Sequence, residues 1–216
     1  MRPVERVKYP RTWHLPDSPN RGADGYHAFA DYSSFAGREV VVTEKLDGEN
    51  TTIYADGYCH ARSISSGYHP TRTWVRALAG RVAHALPDGW RICGENTFGR
   101  HSIAYDALPS YFQLFAVYSE DDVCLSWDDT VAWSSRLGVD LVPVLYRGVF
   151  DHARVVALLG GASAFGPERE GVVVRWADAF TDHQRAVGKL VRKDHVKTDR
   201  HWMHGEVSAN GLAAGT

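Results

Sequence analysis

Short runs of apolar and β-branched residues, rather than long helical patterns, dominate the chain after residue 37. Such runs, when Gly, Pro, Asn or Asp bound them, are typical of β-strands. The first three runs lie close together, and Asp56 and Gly57 form a turn signal between two of them, so these three are predicted to be adjacent antiparallel strands. The predicted strands cover residues 39–44, 51–54, 58–62, 90–95, 111–118, 142–146, 171–176 and 187–193, with a short strand after the turn at residues 121–122.

Three segments follow a helical pattern instead. Within residues 71–86 apolar residues recur at every fourth position, and a proline lies just before and just after this segment. Ser126 is typical of a helix start and Gly138 of its end, and a third helix is predicted from an Asp151 cap to residue 159. Strands outnumber helices and mostly follow one another directly. The predicted class is therefore α+β, with antiparallel β-sheets flanked by helices.

The composition indicates an ordinary globular protein with one core. Of the 216 residues 44% are hydrophobic, and the net charge of -2 argues against a surface coated with basic groups for indiscriminate nucleic-acid binding. Residues 1–37 are predicted to be an irregular arm packed on a domain of residues 38–200, and residues 201–216 a C-terminal tail. No membrane-length apolar segment or secretory signal is visible, so a cytoplasmic protein without membrane contact is expected. Three widely spaced cysteines predict reduced thiols rather than disulfides or a zinc site.

The candidate chemistry begins at Lys45, in the sequence E-K-L-D-G-E-N, where a β-branched strand meets a glycine turn. A lysine amine is a nucleophile only when it is neutral, so its pKa, ordinarily about 10.4, has to be lowered by burial or by nearby cations. Taken alone, this motif favours a surface lysine in a hairpin turn over a nucleophile.

An ordered series downstream gives Lys45 a context. Arg62 ends a predicted strand, Glu95 lies in G-E-N-T-F-G at the end of the next, and Phe115 lies within a third. Glu170 opens E-G-V-V-V-R, and Lys189 begins a lysine-rich closing strand. The series resembles the covalent nucleotidyltransferases, with these elements similar to motifs I, Ia, III, IIIa, IV and V, over residues 39–197. The resemblance implies a nucleotidyltransferase domain of the ATP-grasp-like ligase core type.

The resemblance also implies a role for each residue. Lys45 would be the nucleophile, Glu170 a ligand for Mg²⁺ or Mn²⁺, and Lys189 and Lys193 phosphate-binding groups. The implied contacts with the nucleotide are Glu44 on the adenine edge, Phe115 stacked on adenine, Glu95 on the ribose, and Arg62 on the ribose or a phosphate.

Each residue also has a plainer interpretation. Glu95 and Arg62 can be solvated groups at strand ends, and Phe115 can be an ordinary core residue. Glu170 is expected to be an exposed charge whose removal costs about 1 kcal/mol or less.

The segment of residues 185–200 is locally basic. It holds six Lys or Arg residues against two Asp, a net charge of +4 in a slightly acidic chain. Lys189 and Lys193 share one face of the predicted strand, which favours a phosphate-binding wall over a solvated face. Arg192 competes with Lys193 for the second basic position. Such a wall is also expected to lower the pKa of Lys45.

Two features indicate a branch of the family. Only 23 residues follow Lys193, too few for the OB-type domain of DNA ligases and capping enzymes, and Asn50 completes a K-x-x-G-x-N pattern. The sequence therefore resembles the ATP-dependent RNA ligases related to the second bacteriophage type. That resemblance implies ATP and Mg²⁺ (or Mn²⁺) as cofactors, a lysyl-AMP intermediate, and RNA 5′-phosphate and 3′-OH ends as substrates.

Alternatives remain open at the level of sequence. The same site suits a DNA-joining or adenylate-transferring enzyme, and a non-catalytic nucleotide- or RNA-binding module is a further possibility. A partner protein can supply the domain that the chain lacks. Aromatic and basic residues in the arm and the tail either grip RNA or pack against the core: Arg11, Trp13, His14, His201, Trp202 and His204.

Overall fold

The computed structural model describes residues 5–19, 27–192 and 207–215, and its strands form two sheets. The strands are Trp13–His14 (β1), Glu39–Lys45 (β2), Glu49–Tyr54 (β3), Cys59–Ala61 (β4), Arg91–Asn96 (β5), Phe112–Tyr118 (β6), Val144–Val149 (β7), Gly171–Trp176 (β8) and Val187–Val191 (β9). The five-stranded sheet has the order β1-β9-β8-β2-β7 and the four-stranded sheet the order β4-β3-β5-β6. All neighbours among these strands are antiparallel except β1 and β9, which confirms the predicted class.

The prediction that the first three strands are adjacent is wrong, because β2 lies in a different sheet from β3 and β4. Val40, Val41 and Val42 are fully buried on both faces of β2, as a central strand requires, and β2 pairs with β7 and β8. After Lys45 the chain crosses to the other sheet instead of turning back in a hairpin. In that sheet β3 pairs with β4 on one side and with β5 on the other.

Three of the four helices in the described residues begin and end close to the predicted signals, and the fourth, His183–Ala186, was not predicted. The helices are Thr73–Val82 (α1), Trp127–Leu137 (α2), His152–Ala157 (α3) and His183–Ala186 (α4). The Ser126 hydroxyl accepts a hydrogen bond from the N–H of Asp129, and Gly138 ends α2 at φ 62°. The helix α1 is shorter than predicted because its flanking turns, Pro70–Arg72 and Ala83–Ala85, are 3₁₀ turns. Among the helices of the described residues, none combines the length and the apolar character of a membrane span.

Apolar packing covers the outer faces of the two sheets. Helix α1 packs on the four-stranded sheet through residues such as Leu78 and Val82, against Ile53 and Ile92. On the five-stranded sheet, Val155 of α3 and residues of the arm pack against β2, β8 and β9. The inner faces of both sheets are thereby left to line a cleft between them.

The arm is not wholly irregular, because β1 extends the five-stranded sheet in parallel with β9. Trp13 is opposite Gly188 and His14 is opposite Lys189. The absence of a side chain at Gly188 makes room for Leu15, since a Cβ there would lie 2.5 Å from Leu15 Cδ2. Trp13 and His14 therefore pack on the sheet, whereas His201, Trp202 and His204 lie outside the described residues.

The remaining differences from the predicted elements are local. Strand β7 runs later than predicted because its pairing with β2 continues to Val149. The strand expected after residues 121–122 is reduced to single bridges from Cys124 to Tyr118 and Phe180. The three cysteines are free thiols, as predicted.

Candidate active site

One cavity of about 550 Å³ lies between the inner faces of the two sheets. This volume is within the range of small-molecule sites. One wall consists of β2, β8 and β9, and the other of β3, β5 and β6, while residues 9–12 of the arm complete the lining. The cavity lining includes six of the residues predicted from the sequence: Glu44, Lys45, Arg62, Glu95, Phe115 and Lys189.

Lys45 is the last residue of β2 and lies opposite Gly171 of β8. Its Nζ donates a hydrogen bond to Oε2 of Glu170, at 2.6 Å. Glu170 is only 4% exposed, so the expectation of an exposed strand-start carboxylate is wrong. The cause is the neighbouring backbone: a Cβ at Gly171 would lie 2.1 Å from the carbonyl oxygen of Leu190, so glycine lets β8 and β9 approach closely and carries Glu170 inward.

The charges around Lys45 do not match the expected cationic wall. Burial lowers the pKa of Lys45, but the carboxylates of Glu170, Glu95 and Asp47 outweigh burial and raise this pKa above its ordinary value. The prediction that cations lower the pKa of Lys45 is therefore wrong. The lysine whose pKa is lowered is the neighbouring Lys189. Burial and then the charges of Lys45, Arg62 and Arg11 lower the pKa of Lys189 to about 8.

Asp47 and Gly48 of the K-x-D-G motif hold the backbone in place. The Asp47 carboxylate accepts hydrogen bonds from the N–H groups of Ser102 and Ile103, both at 2.8 Å. The N–H of Gly48 donates to Oε1 of Glu95 at 3.1 Å, and a Cβ at Gly48 would lie 2.6 Å from the carbonyl oxygen of Asn96. The motif thus fixes the crossing between the sheets, a role that the sequence argument did not give it.

Glu95 and Asn50 lie opposite each other on β5 and β3. Burial raises the pKa of Glu95 to about 8; Lys45 opposes this shift, whereas Glu170 and Asp47 add to it. The side-chain oxygen of Asn50 is buried and has no hydrogen-bond partner within the described residues. Both side chains therefore present oxygen atoms to a ligand in the cavity.

Phe115 owes its position to an irregularity in β6. Cys93 of β5 pairs with Ala116 and Gly94 with Leu114, so Phe115 is the extra residue of a β-bulge. A bulge re-aims side chains, and here both Phe115 and Ala116 line the cavity. The Tyr9 ring of the arm contacts Phe115 edge-on, with centroids 5.2 Å apart. Phe115 is half-buried: it packs against the apolar clusters around Val41 and Cys93 and also forms part of the cavity wall.

Arg62 and Arg11 add positive charge to the same cavity. The Nε of Arg62 is buried without a hydrogen-bond partner among the described residues, and both burial and the charge of Arg11 lower the pKa of Arg62. Arg11 and Lys189 are also close enough to interact electrostatically. The sequence argument had left Arg11 undecided between binding RNA and packing; its side chain is exposed at the cavity.

A model of the RNA ligase family matches residues 38–191. The chain belongs to the RNA ligase family. Solved structures of an RNA ligase from Naegleria gruberi are similar in fold: the form with PPi has 22% identity and a TM-score of 0.57, and it covers 72% of this chain and 50% of that one. A mutant with ATP and Mn gives 20% identity, a TM-score of 0.55 and coverage of 73% and 50%. A mutant with AMP and Mn has 19% identity and a TM-score of 0.52, and the match covers 72% of this chain and 50% of that one.

The chain thus spans about half the length of these structures. No curated protein matches it.

Within this RNA ligase domain, Glu44 differs from the other predicted site residues. Strand alternation places it on the face of β2 opposite Lys45, beside Val40 and Val42. One carboxylate oxygen accepts a hydrogen bond from the N–H of Ala164 at 2.9 Å and lies 3.8 Å from Nε of Arg169. The other oxygen is buried without a partner in the described part of the chain. A role of Glu44 on adenine stays a prediction.

The closing strand supplies only part of what was expected. Lys189 lines the cavity, but β9 ends at Val191. Arg192 forms an ion pair with Glu168, with 2.6 Å between Nη2 and Oε2, and Lys193 lies outside the described residues. The identity of the second basic residue of this strand stays open.

A divalent cation suits the carboxylates of the site. No cluster of three or more His, Cys, Asp or Glu side chains arranged for metal binding occurs in residues 5–19, 27–192 and 207–215. Mg²⁺, however, is commonly bound by one or two carboxylates together with substrate phosphates and water. Glu170, with Glu95 nearby, matches that donor set.

Proposed function

We propose that this chain is an ATP-dependent RNA ligase that works through a lysyl-AMP intermediate. The observation that carries the proposal is the position of the Lys45 amine, which lies in a nucleotide-sized cavity with a buried carboxylate at 2.6 Å and the cations Lys189 and Arg62 around it. This arrangement combines a nucleophile, an acceptor for its proton and groups that neutralise phosphate charge.

In the first step, Nζ of Lys45 attacks the α-phosphorus of ATP. A P–N bond forms, the P–O bond to the β-phosphate breaks, and pyrophosphate leaves with the bonding electrons. The amine must lose a proton to react, and the carboxylate of Glu170 is the hydrogen-bonded acceptor. Lys189, Arg62 and Arg11 neutralise the negative charge of the phosphates in this scheme.

In the second step, the AMP group passes from Lys45 to the 5′-phosphate of an RNA. A phosphoanhydride bond forms and the P–N bond breaks, which returns the lysine. In the third step, an RNA 3′-OH attacks the activated 5′-phosphate, so that a phosphodiester forms and AMP leaves. Each step is a phosphoryl or nucleotidyl transfer, in which orientation and charge stabilisation are the main tasks of the protein.

Glu170 is proposed to hold Mg²⁺ or Mn²⁺ together with the phosphates of ATP. When bound, the cation would supply positive charge at the reacting phosphate. Neighbouring RNA ligase structures described as complexes with ATP and Mn and with AMP and Mn support this assignment.

The nucleoside is proposed to lie against β3, β5 and β6. Phe115 offers a ring for stacking on adenine, and Glu95 and Asn50 offer buried oxygens for the ribose hydroxyls. Lys193 is proposed to contact phosphate beside Lys189.

Labelling with α-³²P-ATP tests the proposed nucleophile. In the presence of Mg²⁺ the protein is expected to carry the label on a denaturing gel, and Lys45→Ala is expected to carry none. Lys8→Ala is the matched control, since Lys8 is an exposed lysine of the arm outside the cavity lining. Labelling of Lys45→Ala at the level of Lys8→Ala would reject the assignment of Lys45.

The RNA substrate is tested by sealing nicked duplexes that differ only in the sugars at the 3′-OH end. Ribose at this end is expected to be preferred, because the 2′-hydroxyl is the group by which a protein distinguishes RNA from DNA. Joining is expected to weaken as salt rises, because the log of the affinity for RNA falls by about 0.7–0.9 per unit of log salt concentration for each neutralised phosphate. Self-adenylylation is expected to weaken less. Equal sealing of an all-DNA nick would favour the alternative of a DNA-joining enzyme. Adenylylation without sealing would point to single-stranded ends or to a partner protein that supplies a further domain.

A further inference from the structure

The charges of the chain are unevenly distributed around Arg62. Residues 57–87 contain four arginines and no Asp or Glu, although the whole chain has a net charge of -2. Arg72 is neutralised by Glu49, to which it donates two hydrogen bonds. Arg62 lines the cavity and Arg76 is exposed on α1. A strip of positive charge therefore leads from the cavity onto the protein surface.

The most exposed Phe, Tyr or Trp side chains of the described residues lie on the same segment. Tyr68 is 68% exposed and Tyr58 is 40% exposed. Each ring has an arginine guanidinium over it, with 5.6 Å from Arg76 Cζ to the Tyr68 centroid and 4.3 Å from Arg6 Cζ to the Tyr58 centroid. Large exposed rings are costly in water, so their pairing with arginines in an acid-free segment points to a ligand with bases and phosphates.

These groups form one continuous surface. Arg76 is close enough to Cys59, the residue next to Tyr58, to interact with it electrostatically, and it also lies over the Tyr68 ring. The Tyr58 hydroxyl lies 3.5 Å from the carbonyl oxygen of Ile64, whose side chain is exposed as well. We call the set Tyr58, Arg62, Ile64, Tyr68 and Arg76 the arginine–tyrosine strip.

We propose that the arginine–tyrosine strip binds single-stranded RNA next to the end that reacts in the cavity. The proposal deepens the proposed function and rests on it. Bases stack on Tyr68 and Tyr58, while Arg62 and Arg76 contact successive phosphates. Stacking on an aromatic ring is tolerant of sequence, so the strip is expected to bind RNA without strong base preference.

The strip explains how one domain can retain RNA with few contacts. A net charge of -2 gives little long-range attraction for a polyanion, whereas the strip residues carry no carboxylate and Asp56, which accepts a hydrogen bond from the N–H of Tyr58, is neutralised by Arg6. Because Arg62 belongs to both the strip and the cavity, RNA bound on the strip would deliver its end to Lys45.

Fluorescence anisotropy with a labelled, 5′-phosphorylated single-stranded RNA of about ten nucleotides, without ATP, tests the strip. Tyr68→Ala is expected to weaken binding at least about fivefold, the lower end for loss of one base stack. Arg76→Glu is expected to weaken binding. It should also reduce the slope of log affinity against log salt concentration by the value of about one phosphate contact. Arg154→Glu is the matched control, since Arg154 is an exposed arginine over the Tyr146 ring, at 4.8 Å, on the opposite side of the five-stranded sheet.

Two further readouts separate this proposal from the proposed function. Self-adenylylation with ATP, which involves no polynucleotide, reports whether the nucleotide site of each variant is intact. Joining of pre-adenylylated RNA reports the step that follows. If Tyr68→Ala and Arg76→Glu bind RNA as tightly as Arg154→Glu does, the strip is not the RNA site, whatever the adenylylation result. If the wild-type protein binds RNA through the strip but never becomes adenylylated, the proposed function fails and the strip stands.

Discussion

The five-stranded sheet brings Lys45, Glu170 and Lys189 to the cavity as charged groups, whereas most groups from the four-stranded sheet are uncharged or held close to neutrality. Arg62, which follows β4, is a charged exception, and Glu49 of β3 is ion-paired with Arg72. Lys45, Glu170 and Lys189 belong to β2, β8 and β9 or lie directly beside them. On the other wall, Phe115 and Asn50 carry no charge, and the pKa of Glu95 is raised to about 8 by burial. We propose from this difference that the five-stranded sheet mainly serves phosphate transfer and the four-stranded sheet mainly nucleoside binding, with Arg62 reaching the phosphates from the second wall.

The two walls also differ in how they are held. Lys45 and Glu170 fix each other directly, so a change at one alters the charge of the other. On the four-stranded sheet, Phe115 and Glu95 are positioned by a bulge and by a backbone N–H. Replacements on the first wall are therefore expected to change the rate of reaction, and replacements on the second wall the affinity for ATP.

The largest effect is expected for Glu170→Gln. Self-adenylylation should fall about a thousandfold, because a charged group aimed at the reacting centre is lost. The free energy of unfolding should fall by about 1–3 kcal/mol, since Lys45 loses a buried partner. Single-turnover labelling and urea unfolding measure the two quantities. Glu168→Gln is the control: it breaks the Arg192–Glu168 ion pair, also at 2.6 Å, and should label normally.

Lys189→Ala should lower the rate of self-adenylylation about a hundredfold by removing one phosphate-neutralising cation. The KM for ATP should change less than the rate, if the five-stranded sheet serves transfer rather than binding. Steady-state pyrophosphate release at varied ATP concentration separates the two parameters. A change confined to KM would erase the distinction between the two walls.

Phe115→Leu should raise the KM for ATP by about 2–10-fold, the value of one aromatic contact, with the rate at saturating ATP nearly unchanged. Phe98→Leu is the matched control, because the Phe98 ring packs on Tyr111 at 4.9 Å and does not line the cavity. A lower rate at saturating ATP in Phe115→Leu, with an unchanged KM, would contradict the assigned role.

The smallest effect on the reaction at neutral pH is expected for His183→Asn, which instead changes acid stability. Burial and then the charge of Arg175 lower the pKa of His183 to about 4. Below pH ~6.5 the unfolded chain takes up a proton that the folded chain does not, so stability is lost as the pH falls towards 4, by about 3 kcal/mol in all. His183→Asn should lose less stability over this range in urea titrations at pH 7 and pH 4.5. An identical loss would assign the acid sensitivity to other groups, such as His60.

Sequence reasoning succeeded where the signal is local. The strand of residues 171–176 and the helix between Ser126 and Gly138 follow directly from a β-branched run and from capping residues. The ordered motifs likewise predicted that Lys45, Glu95 and Lys189 share one site, and the cavity contains all three.

The predictions from sequence were wrong where contacts between residues distant in the chain determine the structure. The partners of β2 depend on both of its faces being buried, which its short valine run could not distinguish from a half-buried hairpin strand. The burial of Glu170 depends on the close approach of β8 and β9 at Gly171. The raised pKa of Lys45 depends on three carboxylates that are distant in sequence. Tyr9 carried no sequence signal for its place in the cavity lining, and Arg11 only the aromatic and basic composition of the arm, which left its role undecided.

The pairing of β1 with β9 has a consequence for where this RNA ligase domain can be cut. The family match begins at residue 38, whereas the backbone N–H of Leu15 donates to the carbonyl oxygen of Lys189 at 2.8 Å. A fragment that begins at residue 38 would keep every motif but leave β9 as an uncovered edge strand. Unpaired strand edges template pairing between molecules. Such a fragment is expected to precipitate or to form sheet-to-sheet dimers through β9, with its catalytic residues present in a poorly soluble protein.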